Sequence, residues 1–156
     1  AYSIITNGGF DIKPSLIKNN NNKKKKVLND GVSTKILPIL RKVVTEGTAS
    51  LANINGYEIG GKTGTAEKSS LGSYSKNKKI NTFVSVFPTS KPKFVLAVML
   101  DEPEINEEYI YEYRDGSNFK LKGTPRNTAG WNSVEVSGHI IEKIGPILAT
   151  KYSEIN

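Results

Sequence analysis

At 156 residues, with 37% hydrophobic side chains, the chain suits one domain or part of one. Its formal net charge of +7, from 22 basic and 15 acidic residues, is compatible with an anionic partner. The lack of cysteine excludes disulfides and thiolate catalysis, one histidine argues against a zinc site, and no apolar run reaches the roughly 18 residues of a membrane span.

The first part of the chain is predicted to hold the end of a helix and a polar insertion. Ala1–Thr6 suits the last turns of a helix, which the following Asn-Gly-Gly sequence can stop. Pro14 interrupts residues 10–17, so that an extended edge or a loop is expected there. Four asparagines and four lysines then form a low-complexity tract, interpreted as a solvated loop at about residues 18–29. Because the chain begins without methionine, inside an apolar pattern, we expect it to be a piece of a longer product.

A helix is predicted next, followed by a polar connector over residues 48–55. Ser33 is a candidate N-cap, and apolar residues recur after it at helical spacing, at Ile36, Leu37, Leu40, Val43 and Val44. Because proline is tolerated only in the first turn of a helix, the regular helix should begin close to Pro38. Gly47 should end it.

Three extended segments are predicted to form an antiparallel meander. The first is residues 57–68, which a Ser/Gly/Lys-rich loop follows through Lys79. The second, residues 82–87, is rich in β-branched and aromatic side chains, and the third is the apolar run over residues 94–100. The five residues between the second and third segments suit a hairpin. The continuous run at 94–100 should be buried on both faces of the sheet.

The remaining residues predict an irregular surface segment and a closing helix. Residues 102–126 are charged and interrupted by glycine and proline, whereas helical spacing returns from about Thr128. Trp131 and His139 are interpreted as packing and surface residues. The fold class predicted for residues 1–156 is therefore α/β in the α+β sense. An antiparallel sheet carries flanking helices, and a C-terminal helix packs on it.

The segment at 57–68 permits two chemistries, and its conformation separates them. Residues 56–63 match the phosphate-loop pattern G-x-x-x-x-G-K-T, and residues 94–101 resemble a strand that ends in a magnesium-binding aspartate. A phosphate loop, however, follows a buried strand and opens a helix, and the sequence Thr63-Gly64-Thr65 forms helices poorly. In a strand, Lys62 and Gly64 would lie on one side, with Thr63 and Thr65 on the other.

An edge strand with this sequence suits a cleft that binds an acyl group. Gly64 lets a substrate approach the backbone closely, and an unpaired N–H such as that of Thr65 can donate to an oxyanion. The ammonium of Lys62 and the threonine hydroxyls suit a substrate carboxylate. On these residues alone, an edge strand without catalytic function is an equally open interpretation.

A series of motifs in order along the chain resembles the class B penicillin-binding proteins, especially the transpeptidases dedicated to cell division. The motifs are Asn7-Gly8-Gly9, V-V-x-x-G-T-A at 43–49, G-K-T-G-T-A at 61–66, F-x-x-x-x-P at 83–88, D-x-P at 101–103 and T-A-G-W-N at 128–132. K-T-G alone is a weak signature, whereas the ordered series is specific. Thr63, directly after the lysine, and the long loop predicted after Ala66 favour division-type over elongation-type enzymes.

The resemblance implies the C-terminal part of a penicillin-binding transpeptidase fold, in an enzyme that cross-links peptidoglycan stem peptides. In that scheme Lys62 organises the proton network at the active serine, and Thr63 and Thr65 bind the substrate carboxylate beside Gly64. The Thr65 backbone N–H forms half of the oxyanion hole. The expected partners are D-Ala-D-Ala stem peptides, amine acceptors, β-lactams and divisome proteins, without nucleic acid, cofactor or metal. The expected location is the periplasmic face of the inner membrane, through an N-terminal anchor outside this chain.

The family's S-x-x-K and S-x-N motifs are not convincingly present. Ser15-Leu16-Ile17-Lys18 fits the first by letter, but the neighbouring polar tract would not bury Lys18 and lower its pKa. Matches at 73–76 and 75–77 follow the K-T-G segment and are interpreted as chance. We therefore expect the nucleophile to lie outside this chain, which alone should be inactive. The alternatives are a D,D-carboxypeptidase or β-lactamase-like fragment, a basic binding module using residues 23–26, and a P-loop nucleotide-binding protein.

Overall fold

The structure, a computed structural model, describes residues 1–17, 23–70, 73–123 and 126–153. In chain order the elements are α1 (Tyr2–Thr6), β1 (Phe10–Asp11), β2 (Lys25–Lys26), α2 (Val32–Thr45), β3 (Gly60–Ser70), β4 (Ser73–Phe87), β5 (Phe94–Asp101), β6 (Ile110–Glu112), β7 (Lys120–Lys122) and α3 (Ser133–Ser153), with 3₁₀ turns at Ser50–Ala52 and Ala129–Trp131. The main sheet has the order β3-β4-β5, and both of its pairings are antiparallel. The predicted meander and the α+β class are confirmed.

The core lies between the sheet and α3. Phe83 of β4 and Val134 and Ile141 of α3 are fully buried in one apolar cluster. Residues at positions 131, 134, 141 and 148 of the C-terminal region belong to that cluster or pack against it. The predicted packing of the closing helix on the sheet is therefore correct, and its apolar spacing is what specifies it.

Burial of β5 on both faces, which the continuous apolar run predicted, is wrong. Along β5 the more buried and the more exposed residues alternate. Val98 is buried on the side where α3 packs, whereas Val95 is 42% and Met99 69% exposed on the opposite side. The strand is the outer one of the described sheet, so that its alternation follows from cover on a single face.

The loop predicted between Lys68 and Lys79 is also wrong where the structure describes it. β3 and β4 continue pairing through Ser70 and Ser73, and residues 71–72 lie outside the described part. The register shifts after Glu67, which pairs with Lys79, so that residues 76–78 form a bulge. Cross-strand backbone pairing satisfies the main chain here without an apolar pattern, which is why the sequence did not indicate a strand.

Lys68 connects the base of this β3–β4 arm to the end of β5. Its ammonium lies 2.9 Å from an oxygen of Asp101 and 2.8 Å from an oxygen of Glu102. Hydrogen bonds to Glu102 and Asp101 raise the pKa of Lys68. The arm is therefore tied to the sheet at the residue where its register changes.

α2 begins earlier than predicted. It starts at Val32, after Gly31 in a left-handed conformation with φ of 80°, and Pro38 lies inside the helix. Ser33 is therefore not the N-cap. Pro38 leaves the Thr34 carbonyl without its usual helical donor, a cost that the packing of the buried Leu40 and Val44 offsets.

Residues 102–126 were predicted to be irregular surface, and this prediction is wrong in part. β6 and β7 pair as a short antiparallel hairpin, and Tyr111 within it is 5% exposed. Its ring packs edge-on against Trp131, with ring centroids 5.2 Å apart. The segment therefore contributes to the core, through aromatic residues that the charged sequence around them concealed.

The predicted end of the N-terminal helix is confirmed, whereas the loop predicted for the Asn/Lys tract is wrong in part. α1 ends before Gly8 and Gly9, whose φ angles are 84° and 95°, as expected of a left-handed stop. Part of the Asn/Lys tract, predicted as a loop, is the strand β2, which pairs with β1, while residues 18–22 lie outside the described part.

Within the described ranges, no helix combines the length and the apolar character that crossing a membrane requires.

Candidate functional site

β3 is an edge strand, and two adjacent glycines allow it to pack closely against its neighbours. A Cβ on Gly60 would lie 3.0 Å from the backbone of α2, and one on Gly61 would lie 2.6 Å from the Phe83 ring. Only glycine therefore allows β3 to pass between α2 and the Phe83 side chain. Sequence reasoning missed this structural role of the glycine pair.

The conformation of this segment contradicts the phosphate-loop alternative. Lys62 and Thr63 lie within an antiparallel strand, paired with Val84 and Phe83, rather than at the start of a helix. Residues 50–52, which precede it, form a 3₁₀ turn and not a buried parallel strand. A G-K-T sequence can cradle phosphates only when its backbone N–H groups converge at a helix start, so this arrangement does not suit a nucleotide.

The two threonines predicted to bind substrate line one cavity of about 390 Å³. Its other lining residues come from residues 47–51 after α2 (called the 47–51 connector), from Tyr113 and from residues between 126 and 131. The Thr63 hydroxyl lies 2.9 Å from the Thr48 hydroxyl, and the Thr65 hydroxyl accepts a hydrogen bond of 3.0 Å from the Ala129 N–H. Both hydroxyls are thus held at the wall of one cavity.

Lys62 and Gly64 do not line that cavity. The Lys62 ammonium is exposed and donates to the Thr63 carbonyl at 2.6 Å. A Cβ on Gly64 would have the Thr82 carbonyl, at 3.9 Å, as its nearest neighbour, so this position is open. The structure therefore brings Thr63 and Thr65 together and places Lys62 apart from them. This is the arrangement expected from strand alternation.

The opposite wall consists of residues that the sequence analysis gave only as the T-A-G-W-N motif at the start of the closing helix. A Cβ on Gly130 would lie 2.7 Å from the Thr48 carbonyl, so glycine is needed for this close approach. Trp131 and Thr128 line the cavity together with Ser50. The T-A-G-W-N sequence was visible, but only the fold shows that it faces the threonines of β3.

A cluster of amide side chains lies behind this wall. Asn81 is fully buried and pairs in register with Thr65. Its Nδ2 donates to the Oδ1 of Asn127 at 2.7 Å, and the Nδ2 of Asn132 donates to the same oxygen at 3.2 Å. The Nδ2 of Asn127 donates to the Pro103 carbonyl. No sequence signal indicated this cluster.

A buried ion pair between Arg114 and Glu135 lies next to the cavity and contacts one of its lining residues. The Arg114 guanidinium makes two hydrogen bonds to the Glu135 carboxylate, at 2.9 and 3.0 Å, and its side chain is 6% exposed against 5% for Glu135. Arg114 also donates to the carbonyl of Leu51, a cavity residue, at 3.0 Å. Burial opposes its charge, but the hydrogen bonds and charge of Glu135 raise the pKa of Arg114. The pair fixes the connector against α3.

Tyr109 and His139 extend this ion pair into a cluster of four side chains with Arg114 and Glu135, called the Glu135 cluster. Its hydroxyl donates to Glu135 at 3.1 Å and lies 3.1 Å from the Nε2 of His139. Burial and the neighbouring Glu135 charge raise the pKa of Tyr109 to about 12. The phenol is therefore held in its protonated form. His139 lies on the exposed edge of this cluster, with a side chain 47% exposed.

The serine matches and the lysine tract lie away from the cavity. Ser15 is exposed, and its hydroxyl accepts from the Ile17 N–H at 3.0 Å, while Lys18 lies outside the described residues. Ser73 and Ser75 are on β4 in the arm. Lys26 lies 2.7 Å from Asp30 and 4.7 Å from the Phe10 ring centroid. That lysine is thus engaged within the fold.

Comparison with known families gives one match over most of the chain. Residues 1–118 match the model described as "Penicillin binding protein transpeptidase domain". A probable peptidoglycan D,D-transpeptidase FtsI of Caulobacter vibrioides is 28% identical over 97% of this chain and 25% of its own length. Stage V sporulation protein D of Bacillus subtilis is 38% identical over 59% of this chain and 14% of its own length.

Solved structures agree with this match. The transpeptidase domain of Burkholderia pseudomallei penicillin-binding protein 3 superposes with a TM-score of 0.70 at 25% identity, over 94% of this chain and 40% of that one. Penicillin-binding protein 3 of Mycobacterium tuberculosis, complexed with aztreonam, shares the fold with a TM-score of 0.63 at 22% identity, over 92% of this chain and 34% of that one. The chain thus spans well under half of these structures, and it belongs to the penicillin-binding protein transpeptidase family, class B.

Proposed function

We propose that this chain is the C-terminal part of a division-type peptidoglycan D,D-transpeptidase, in which it supplies the K-T-G strand and the wall that binds the substrate carboxylate. The observation that carries the proposal is the pair of threonine hydroxyls, Thr63 and Thr65, on one wall of a cavity beside an edge strand. Hydroxyl donors in such a cavity suit a carboxylate, the group that D-Ala-D-Ala and β-lactams share.

In the proposed reaction a serine in another part of the protein attacks the penultimate D-Ala carbonyl, is acylated, and releases the terminal D-Ala. An amine of a second stem peptide then takes the acyl group. Lys62, on the other face of β3 from the cavity, would organise the proton network at that serine. The open position at Gly64 would admit the acyl group, and the Thr65 N–H would donate to the oxyanion.

The expected partners and location follow from the same proposal. β-Lactams would acylate the serine, in agreement with the aztreonam complex of the Mycobacterium tuberculosis neighbour. Divisome proteins would be neighbours, and the domain would act at the periplasmic face of the inner membrane. This chain by itself would remain unacylated, because it would lack the nucleophile.

The test is intact-mass spectrometry with a penicillin, on this chain and on the longest product of its gene. We expect an adduct on the long form only, on a serine outside residues 1–156. An adduct on Ser15 or Ser73 would contradict the assignment of the nucleophile. No adduct on either form would contradict the transpeptidase proposal itself.

Changing Lys62 to alanine in the longest product tests the role of the strand. We expect acylation by penicillin to slow by about a hundredfold or more, the range typical of lost proton-transfer catalysis. Lys35→Ala, which removes an exposed lysine of α2, is the matched control and should acylate at the normal rate. Near-normal acylation of the Lys62 variant would contradict its assignment.

A further inference from the structure

The Thr65 hydroxyl takes part in one hydrogen bond whose direction is fixed. The Ala129 N–H donates to its oxygen at 3.0 Å, and a backbone N–H can only donate. The single hydrogen of the Thr65 hydroxyl is therefore left for another acceptor. Among the described residues no hydrogen bond uses it, and Thr65 is exposed at the cavity wall. Thr65 thus has its hydroxyl hydrogen available to an acceptor in the cavity, while one lone pair of its oxygen is already used by Ala129.

Thr63 differs from Thr65 in this respect. Its hydroxyl lies 2.9 Å from the Thr48 hydroxyl, and either of the two oxygens can be the donor. The direction of that hydrogen bond can reverse, whereas the one between Ala129 and Thr65 cannot. The structural element that holds the Ala129 N–H in place therefore anchors the Thr65 oxygen and orients its hydroxyl.

Asn127, two residues before Ala129, connects three parts of the chain through its side-chain amide. Its Oδ1 accepts from Asn81 of β4 and from Asn132 at the start of α3, and its Nδ2 donates to the Pro103 carbonyl after β5. Since the carbonyl of Pro103 can only accept, Asn127 must direct its nitrogen to it and its oxygen to the two other amides. This order leaves Oδ1 of the fully buried Asn81 without a partner among the described residues.

Asn81 pairs in register with Thr65, so that the amide cluster lies beside the threonine on the same face of the sheet. The three contacts fix the segment that leads into the Ala129–Trp131 turn. We propose that Asn127 is a positioning residue, which holds the Ala129 N–H on Thr65 and so keeps the Thr65 hydroxyl as a donor toward an anionic substrate. This inference rests on the proposed function for its substrate.

The test uses Asn127→Asp in the longest product of the gene. A carboxylate can still accept from Asn81 and Asn132, but it cannot donate to the Pro103 carbonyl. The carboxylate oxygen that replaces Nδ2 would instead repel the Pro103 carbonyl oxygen. We expect amide hydrogen exchange at Ala129 to become about tenfold faster or more, as the loss of one hydrogen bond implies. Asn29→Asp, an exposed position outside the cavity, is the matched control for the added charge.

A double-mutant cycle with Thr65→Val separates positioning from simple destabilisation. Valine keeps the branched shape of threonine but has no hydroxyl. We expect Asn127→Asp to slow penicillin acylation by about tenfold when Thr65 is present, and to have no further effect in the valine background. Equal slowing in both backgrounds would overturn the inference, because a purely structural defect does not depend on the hydroxyl.

The two readouts also separate this inference from the proposed function. Unchanged exchange at Ala129 in the Asn127 variant overturns the inference, whatever the acylation result. If the unmodified protein forms no penicillin adduct, the proposed function fails, and the exchange rate at Ala129 still decides whether Asn127 holds the hydrogen bond on Thr65.

Discussion

Gly61 and Gly64 lie three residues apart on one strand and are glycines for different reasons. At Gly61 a Cβ would lie 2.6 Å from both the Phe83 ring and the Val84 carbonyl, so the position is closed by the core. At Gly64 the nearest atom to a Cβ would be 3.9 Å away, so the fold itself tolerates a side chain there. The first glycine serves the packing of β3, and the second leaves an open position on the strand.

Alanine at each position should therefore give opposite results. Gly61→Ala should lower the free energy of unfolding by about 1–3 kcal/mol, the usual cost of overpacking. Gly64→Ala should change it by less than about 0.5 kcal/mol but slow acylation by penicillin, since in the proposed reaction its methyl group would enter the path of the acyl group. Urea unfolding and acylation rates of the two variants check this. Normal acylation of a stable Gly64 variant would contradict close approach of the substrate.

At the scale of elements, the Arg114–Glu135 pair joins the segment after β6 to α3 and the 47–51 connector. Both side chains are almost fully buried, so that removing Glu135 leaves the Arg114 charge with only the half-exposed Glu142, 3.3 Å from its Nε, as an acidic partner among the described residues. The contact between Lys120 and Glu112, on the β6–β7 hairpin, is an ion pair of exposed side chains. The two pairs therefore differ in burial while both involve the same hairpin region.

Glu135→Gln should destabilise the protein by about 3–5 kcal/mol, the typical cost of breaking a buried ion pair. Lys120→Ala should cost at most about 1 kcal/mol, because its pair is solvated. Since Arg114 also holds the Leu51 carbonyl, the Glu135 variant should lose hydrogen-exchange protection in the 47–51 connector. The measurements are urea unfolding and hydrogen exchange. Equal destabilisation by the two changes would contradict the role given to the buried pair.

The elements that the sequence predicted correctly are those with a local pattern. The apolar spacing of α3 and the β-branched run of β4 describe their own burial, and the hairpin between β4 and β5 follows from its length. The start of α2 was misplaced because packing at Leu40 and Val44 overrides the local effect of Pro38. The β3–β4 arm and the exposure of β5 depend on pairing and cover by other segments, which no local pattern contains.

For the whole molecule, the cavity joins residues as distant in sequence as Thr48 and Trp131. The threonines of β3 were predicted because their spacing on a strand is local. The opposite wall and the Asn127 amide cluster were not, since they exist only after the 126–132 segment packs against β4. One wall of the candidate site could thus be predicted from the sequence. The other wall depends on contacts between segments that are distant in the sequence.

The stability of the whole molecule should depend on pH in the alkaline range through Tyr109. Its pKa is raised to about 12 in the folded state by burial and by Glu135, whereas an unfolded tyrosine titrates near about 10. Between these values the folded state binds more protons than the unfolded state, so the free energy of unfolding falls as pH rises. Below the unfolded pKa the contribution of the protonated phenol is fully present.

Tyr109→Phe removes this group and should reduce the alkaline slope between about pH 10 and 12. The free energy of unfolding, measured in urea at pH 9, 10 and 11, gives the slope for each variant. Tyr74→Phe is the matched control, because Tyr74 is 75% exposed and lies on the arm, away from Glu135. The difference between the two variants isolates Tyr109 from the other tyrosines. If both variants keep the slope of the unmodified protein, the phenol of Tyr109 is not held protonated by the Glu135 cluster.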